Sequence, residues 1–387
     1  MLFETSNSRL LSRLPNVALI SSNERQESIT KRDVVSSLHG LIDNRQVQIR
    51  NQICTQACGI PQGHVLSPTL AALYLSHLES TYFSDLLEPS FADGGSDEKK
   101  PVFAIRYHDD YLFAHSDSNV VTEFTRRMHS GFESYNMQAN QSKTKIVTSQ
   151  VDYSNSGMVS HGLRSGTIAK RVTNGSLLSW CGLLVDTNSM SLRRDYSRYA
   201  DVLLRDTFTV KAWESFGMQL KARSQNGFRD RLPHALLLDA QIQTRKAVLV
   251  NVLEASALNA LKFLSFRNEV QRIRTSHGYS DKRYSSSEYK AFWNRCVFES
   301  MRAFCARLEA TRNTTTAHKL GFRASMTQDE LRFVVAYGYR AALRFHRVSV
   351  HRAIASYLYT SRFKSVLKDD RKYLSTIPLR NVLSIRL

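Results

Sequence analysis

Two adjacent aspartates, Asp109 and Asp110, interrupt an apolar stretch that covers residues 103–114. The apolar runs on either side have the length of short buried strands, so a tight hairpin turn is expected between them. Neighbouring carboxylates at a turn repel each other unless a cation lies between them, and their oxygens suit Mg²⁺. Aspartate is also common in ordinary turns. A magnesium site and a plain hairpin are therefore both open at this point.

The net charge of the chain narrows the choice of partner. Its 387 residues include 53 Lys and Arg against 34 Asp and Glu, which gives +19. Such an excess favours a polyanionic partner, most simply nucleic acid. An anionic membrane would require a basic amphipathic anchor or a lipidation signal, and we identify neither. We also expect no apolar run long enough to span a bilayer and no membrane partner.

The cysteines favour reduced thiols over a metal site. There are five of them, an odd number at irregular spacing, and Cys54-x-x-x-Cys58 has no matching Cys or His pair nearby. A zinc site is therefore not favoured. Free thiols are typical of an intracellular protein.

Upstream of the aspartates, a second unit has the order strand, glycine-rich turn and helix. Residues 47–54 alternate like a strand, and the segment from Gly59 to Pro68 contains two glycines and two prolines. Ser67 is expected to be a helix N-cap, with Pro68 in the first turn. Freed backbone N–H groups at such a turn can approach a sugar-phosphate, although a plain turn before a core helix has the same pattern.

Helical periodicity dominates the second half of the chain and also occurs in shorter segments of the first half. Helices are predicted at residues 34–42, 120–135, 234–266, 288–309, 348–364 and after the capping box at Thr327–Glu330. Strands are predicted at 137–147 and 180–187, with loops at 89–101 and 152–177. The predicted fold class is α+β, with a mixed part to residue 205 and an all-α part from 206 to 387.

These features match the requirements of nucleotidyl transfer, which uses two metal ions to stabilise the transferred phosphoryl group. At this point the sequence resembles the reverse transcriptases. Their motif B resembles Gly59-Ile60-Pro61-Gln62-Gly63 with Leu66-Ser67-Pro68, and their motif C resembles Tyr107-His108-Asp109-Asp110. Motif D resembles Asn140-Gln141-Ser142-Lys143-Thr144. Motif E of the telomerase catalytic subunit resembles the segment from Trp180 to Thr187 followed by Asp195–Ala200, and residues 234–266 resemble its C-terminal thumb.

The resemblance implies a partial reverse-transcriptase palm at 59–205, a helical thumb at 206–387 and a lead-in at 1–58. It implies that Asp109 and Asp110 are catalytic metal ligands for Mg²⁺ and that Lys143 is the general acid for pyrophosphate. It places template and nucleotide against Gln62, Gly63 and Tyr107, and the primer 3′ end against a primer grip. The grip residues are Trp180, Cys181 and Gly182.

The resemblance also implies a telomerase template RNA, a telomeric DNA primer and dNTPs as partners, at telomeres in the nucleus. The motif that supplies a third carboxylate in the family is missing, because Asp33 and Asp43 are the only aspartates before Gly59 and neither has its setting. We therefore expect a C-terminal fragment of a longer protein, a truncated isoform or a decayed copy. A retroelement reverse transcriptase, suggested by Tyr107 and Pro68, and a non-catalytic nucleic-acid-binding module are the alternatives.

Overall fold

The computed structural model describes residues 17–22, 25–42, 46–55, 59–60, 63, 65–87, 102–147, 170–172, 177–199, 201–211, 213–228, 233–278, 286–319, 321–363, 366 and 368–387. The chain forms two compact units, residues 1–127 and residues 128–387. The first unit mixes strands and helices, and the second is mainly helical. The predicted α+β fold class is confirmed. The domain boundaries at residues 58 and 205 stay a prediction.

The first unit consists of β hairpins and short helices. Its elements are β1 (Val17–Ser22), β2 (Arg25–Thr30), α1 (Lys31–Ile42), β3 (Gln46–Ile49), β4 (Gln52–Thr55), α2 (Ser67–Tyr82), α3 (Ser84–Leu87), β5 (Val102–Tyr107), β6 (Asp110–His115) and the greater part of α4 (Ser118–Ser130). The pairs β1–β2, β3–β4 and β5–β6 are each antiparallel.

Two local predictions in the first unit are wrong in detail. The single strand predicted at 47–54 is a hairpin, because Arg50 has a φ of +56° and reverses the chain between β3 and β4. Ser67 is not the N-cap of α2. That position belongs to Leu66, which has a helical φ of −84° and gives no side-chain cap, so Ser67 already lies inside the helix.

Phe124 of α4 is the centre of aromatic packing in the first unit. Its ring stacks on Phe113 of β6 at a centroid distance of 4.2 Å and tilts against Phe83 at 4.8 Å. Below this cluster, Arg127 donates to both carboxylate oxygens of Asp85, at 2.7 and 2.8 Å, and to the carbonyl of Tyr82 at 2.8 Å. These contacts join α4 to α2 and α3, and thereby support the β5–β6 hairpin.

The second unit combines short strands with a bundle of helices. Its strands are β7 (Lys145–Val147), β8 (Lys170–Val172), β9 (Leu177–Trp180), β10 (Leu183–Asp186) and β11 (Leu192–Arg194). Its helices are α5 (Phe216–Asn226), α6 (Arg245–Ser276), α7 (Ser286–Arg312), α8 (Thr315–Lys319), α9 (Gln328–Phe345), α10 (His351–Leu358), α11 (Lys368–Thr376) and α12 (Arg380–Leu383). The strands β9, β10 and β11 form an antiparallel sheet, and β7 pairs with β8 in parallel.

Helix α6 is the central helix of this bundle. The hydroxyl of Thr244 caps it by accepting from the N–H of Ala247 at 3.2 Å, so the helix begins eleven residues later than predicted and extends to Ser276. It is long and apolar enough to cross a membrane, which the sequence analysis did not expect. All of its most apolar 18-residue window is nevertheless buried inside the protein. It is the core helix around which α9 and α7 pack.

The predicted capping box at the start of α9 is confirmed. The Thr327 hydroxyl accepts from the N–H of Glu330 at 3.3 Å, and a Glu330 carboxylate oxygen accepts from the N–H of Thr327 at 2.7 Å. Each partner satisfies a donor that the first turn of a helix leaves without an intrahelical acceptor.

Elsewhere in this unit the predicted elements are shortened or divided. Helix α4 ends at Ser130 because Gly131 has a φ of +80°. The strand predicted at 137–147 is reduced to β7, and the strand predicted at 180–187 is a hairpin formed by β9 and β10. Residues 170–172 are a strand within the loop predicted at 152–177, of which residues 152–169 and 173–176 lie outside the described residues.

Candidate metal site and nucleic-acid interface

Asp109 and Asp110 lie where the sequence pattern predicts, at the tip of a hairpin. The last pair of the β5–β6 register joins Tyr107 to Asp110, so the turn consists of His108 and Asp109. His108 has a φ of +56°, the left-handed conformation that two-residue hairpin turns use. Both aspartates are exposed to solvent. The turn therefore presents two adjacent carboxylates on a short, rigid support.

The strand that leads into this turn is less buried than predicted. Phe103, Ile105 and Tyr107 alternate along one face of β5 and are 51 %, 42 % and 59 % exposed. Alternate residues of a strand share one face. In the described part of the chain, β5 pairs only with β6. The expectation of two buried strands is thus wrong for β5, although the hairpin itself is confirmed.

Arg106 supports the turn, and the sequence analysis missed it. Its Nε forms an ion pair with Glu79 of α2, and its Nη1 donates to the carbonyl of His108 at 3.2 Å. Its Nη2 donates to the carbonyl of Ala72 at 3.3 Å and to Ser76 Oγ at 3.2 Å. One guanidinium therefore ties the carboxylate turn to α2. An arginine inside an apolar strand was the available signal, because a charge in that setting needs partners.

Tyr111 interacts with the same Glu79 carboxylate as Arg106. Burial raises the pKa of the Tyr111 hydroxyl far above its ordinary value, and the nearby Glu79 carboxylate raises it further. Tyr111 therefore stays protonated at neutral pH. Its ring also lies 6.4 Å from that of Phe124, so the first residues of β6 are held by apolar packing as well.

The carboxylate oxygens at the turn are suitable ligands for a hard divalent cation, but they supply only part of a ligand set. Asp109 and Asp110 supply carboxylate oxygens, which Mg²⁺ prefers. Among the residues that the structure describes, no group of three His, Cys, Asp or Glu side chains comes together. Because Mg²⁺ retains several waters and binds substrate phosphates, two protein carboxylates are a feasible partial set.

The glycine-rich turn before α2 is described only in part. Gly63 is exposed with a φ of +81°, and a Cβ built on it would meet none of the described residues within 4 Å. The side chain at this position is therefore excluded by backbone conformation and not by crowding. Gln62 lies outside the described residues. For both Gly63 and Gln62, contact with the template stays a prediction.

Lys143 lies in a turn of the second unit. Its N–H donates to the carbonyl of Asn140 at 3.1 Å, and Asn140 Oδ1 accepts from the N–H and the hydroxyl of Ser142 at 3.0 and 2.7 Å. The Lys143 side chain is exposed. The role of general acid stays a prediction.

The three predicted grip residues come together at the turn between β9 and β10. The register pairs Trp180 with Leu183, so Cys181 and Gly182 form a two-residue turn with φ values of +48° and +79°. Positive φ at both positions is typical of a tight hairpin turn. Cys181 is exposed to solvent. The Gly182 carbonyl accepts from the N–H of Asp195 at 2.9 Å, which fixes the turn to the segment after β11.

Comparison with known proteins shows which proteins the chain is similar to. Residues 20–156 match the family model described as reverse transcriptase (RNA-dependent DNA polymerase). The telomerase reverse transcriptase of Arabidopsis thaliana is 27 % identical over 282 residues, 70 % of this chain and 24 % of that protein. That of Oryza sativa subsp. japonica is 28 % identical over 232 residues, 59 % of this chain and 18 % of that protein. That of Mus musculus is 26 % identical over 250 residues, 64 % of this chain and 20 % of that protein.

A solved structure of apo telomerase from Candida tropicalis aligns with 91 % of this chain and 45 % of that chain, at 15 % identity and a TM-score of 0.31. The chain spans about a quarter or less of the length of the curated relatives it matches. The resemblance predicted from motifs B to E is confirmed at the level of the family. Residues 20–156 of the chain therefore match the reverse transcriptases, and the chain is similar to the telomerase reverse transcriptases over as much as 70 % of its length.

Proposed function

We propose that this chain carries the metal-binding turn, the primer grip and the thumb of an RNA-directed DNA polymerase that extends telomeric 3′ ends. The observation that carries the proposal is the pair of exposed carboxylates at the tip of the β5–β6 hairpin, inside the residues that match the reverse transcriptase family. The telomerase names of the sequence relatives support the telomeric substrate.

In this proposal each predicted residue has a separate role. Asp109 and Asp110 hold Mg²⁺, which when bound supplies charge stabilisation at the transferred phosphoryl group. Lys143 holds a proton for the departing pyrophosphate. Gly63 and Tyr107, with Gln62, lie against the template and the incoming nucleotide. The turn at Cys181 and Gly182, with Trp180 behind it, supports the primer 3′ end.

The proposed partners are a telomerase template RNA, a telomeric DNA primer and dNTPs, in a nuclear ribonucleoprotein at the telomere. The charge of +19 supports a polyanionic partner, since Lys and Arg that neutralise phosphates release bound counterions. The logarithm of the affinity should then decrease by about 0.9 per neutralised phosphate for each unit of log salt concentration.

The experiment combines binding and extension by the purified chain. An RNA–DNA hybrid with a recessed primer 3′ end is titrated at several KCl concentrations, and Mg²⁺ and dNTPs are then added. We expect binding with a steep salt dependence and weak or no extension, because no group of three metal-ligating side chains comes together in the described residues. A flat salt dependence would count against the nucleic-acid function.

The variants of this experiment test the site itself. Asp109→Ala should abolish any extension that Mg²⁺ supports. Asp201→Ala, which removes an exposed carboxylate from the second unit, is the matched control and should leave extension unchanged. Extension that is strong in the wild type and lost in Asp109→Ala would refute the expected inactivity of this chain but support the catalytic assignment.

A non-catalytic nucleic-acid-binding module is the second candidate. It is favoured by the incomplete carboxylate set among the described residues. In that case the hybrid should bind with the same affinity to the wild type and to Asp109→Ala in the presence of Mg²⁺. Under the catalytic proposal, Mg²⁺ should strengthen binding of the wild type more than that of the variant.

A further inference from the structure

Helix α6 carries polar side chains in a place where burial makes them costly. Gln243 precedes the helix, and Asn251 and Glu254 lie in its first half. As whole residues they are 3 %, 1 % and 4 % exposed. Polar groups at such depth destabilise the fold unless they are hydrogen-bonded. The partners of these three residues therefore show what they are for.

Gln243 and Asn251 hold the backbone of one residue of β11. The N–H of Leu192 donates to Gln243 Oε1 at 2.8 Å, and the carbonyl of Leu192 accepts from Asn251 Nδ2 at 2.9 Å. The same Nδ2 donates to the carbonyl of Leu237 at 3.0 Å. Both backbone groups of Leu192 are thus occupied by side chains from α6 and its lead-in.

Glu254 holds the next residue of the strand. Its Oε1 accepts from Arg193 Nη2 at 2.5 Å, and the Glu254 side chain is 6 % exposed while that of Arg193 is 26 % exposed. Burial raises the pKa of the Glu254 carboxyl above its ordinary value even with the guanidinium beside it. A paired charge at this depth is typical of a contact that specifies one arrangement of two elements.

We call the hydrogen bonds from Gln243, Asn251 and Glu254 to strand β11 the clamp. Strand β11 is connected through the sheet to the turn of Cys181 and Gly182. Arg193 pairs with Leu184 of β10, and Leu183 of β10 pairs with Trp180 of β9. The turn of Cys181 and Gly182 closes this hairpin. The N–H of Asp195, immediately after β11, donates to the Gly182 carbonyl at 2.9 Å. A shift of β11 relative to α6 would therefore move the turn.

We propose that Gln243, Asn251 and Glu254 are positioning residues that fix the Cys181–Gly182 turn to helix α6, and thereby set where a primer 3′ end is held. The assignment of the turn to the primer rests on the proposed function. The clamp itself rests on the hydrogen bonds and strand pairings described above and is testable without nucleic acid. The three residues act through β11 and do not themselves touch the primer.

The first part of the test uses a dye on Cys181. Cys54 and Cys58 are replaced by Ser, while Cys296 and Cys305 are 1 % and 5 % exposed and burial raises the pKa of their thiols to about 11 and about 12. They therefore stay protonated and shielded at neutral pH. We expect a faster rotational motion of the dye in Glu254→Ala and Asn251→Ala than in the parent chain, with Glu254→Gln closer to the parent because an amide oxygen can still accept from Arg193.

Glu269→Gln is the matched control for the dye measurement. Glu269 lies on the same helix, but it pairs with Arg272 of that helix at 2.6 Å. It should leave the dye motion unchanged. Unchanged dye motion in both Glu254→Ala and Asn251→Ala, with both proteins folded by circular dichroism, would overturn the clamp. If Asn251→Ala does not fold, Glu254→Gln and Glu254→Ala decide.

The second part of the test uses the same chain without the dye. The bound hybrid has a primer that carries a 2-pyridyl disulfide tether on its 3′-terminal nucleotide. The Cys181 thiolate attacks the tether sulfur and releases thiopyridone, and the yield of this mixed disulfide is measured beside the hybrid affinity. We expect Glu254→Ala to lower the yield about tenfold, as the loss of one hydrogen bond to a charged group allows, while the affinity changes less than about threefold. Equal losses of yield and affinity would show a merely structural effect and overturn the positioning role.

The two parts separate the clamp from the proposed function. A mobile dye in Glu254→Ala together with no hybrid binding by the parent chain would support the clamp and refute the nucleic-acid function. Hybrid binding without any disulfide in the parent chain would refute the primer-grip role and, with it, the inference about the primer end.

Discussion

Gly338 of α9 lies close to the backbone of α6. A Cβ built at this position would lie 2.7 Å from the Cβ of Ser256, 2.8 Å from the carbonyl oxygen of Leu253 and 3.2 Å from the N–H nitrogen of Ala257. Ordinary contacts of this kind are 3.4 to 4 Å. Two of the three opposing atoms are backbone atoms, so no side-chain rotation can make room. The substitution Gly338→Ala should therefore separate the helices.

The expected size of this effect follows from two opposing contributions. Overpacking of a close-packed core costs about 1–3 kcal/mol. Alanine is intrinsically better than glycine inside a helix by about 1 kcal/mol, which offsets part of that cost. The difference is about 0–2 kcal/mol, and because two of the opposing atoms are backbone atoms we expect a net loss in the upper half of that range, about 1–2 kcal/mol. For a unit of this size, the melting temperature should decrease by roughly 2–8 °C.

The assay is thermal and urea unfolding of the full chain, with Gly217→Ala as the matched control. A Cβ at Gly217 of α5 would meet only the Phe292 ring, at an ordinary 3.7 Å, so that variant should be neutral or slightly more stable. An increase in stability for Gly338→Ala equal to that of the control would refute the close approach of α6 and α9. Loss of stability in both variants would refute the reasoning from contact distances.

Further predictions concern charges, caps and packing. Because burial raises the pKa of Glu254, its carboxyl keeps its proton to higher pH in the folded protein than in the unfolded one. The stability that this group contributes is therefore fully present below pH 4.5 and is lost as the pH increases. In urea unfolding, Glu254→Gln should make this decrease in the free energy of unfolding smaller. Glu269, whose pKa is lowered chiefly by its hydrogen bond to Arg272, has the opposite sign, so Glu269→Gln should remove a contribution that is present above pH 4.5 and is lost as the pH falls below it. Thr327→Ala should lower the stability of the second unit by about 1 kcal/mol through loss of the capping box, whereas Thr327→Ser should retain it. Phe124→Ala should cost about 3–5 kcal/mol because the ring is 8 % exposed and packed against two other rings, and a loss below 1 kcal/mol would contradict that packing.

The carboxylate hairpin and the capping box could be predicted because their determinants are local. Apolar runs around Asp109 and Asp110 specify two strands and a turn, and Thr327 with Glu330 specifies a helix start. The grip was predicted as a single strand. The positive φ values of Cys181 and Gly182 were not anticipated, because Cys gives no signal for a left-handed conformation.

The supporting residues could not be predicted because their partners are distant in sequence. Glu254 is 61 residues from Arg193, and Arg106 is 27 residues from Glu79. In the sequence alone, each of these four residues resembles any other charged residue of a basic protein. The exposure of β5 was missed for a related reason: the apolar residues Phe103 and Ile105 predict burial, but the elements that would cover them are not specified locally.

Binding of Mn²⁺ to the chain–hybrid complex, measured by electron paramagnetic resonance, tests the central claim most directly. Mn²⁺ takes the oxygen ligands that suit Mg²⁺, and it is visible by this method. We expect Mn²⁺ binding that depends on the hybrid, persists in Asp201→Ala and is lost in the double variant Asp109→Ala, Asp110→Ala. Equal Mn²⁺ binding by the wild type and the double variant, with the hybrid bound to both, would contradict the assignment of the hairpin turn as the metal site.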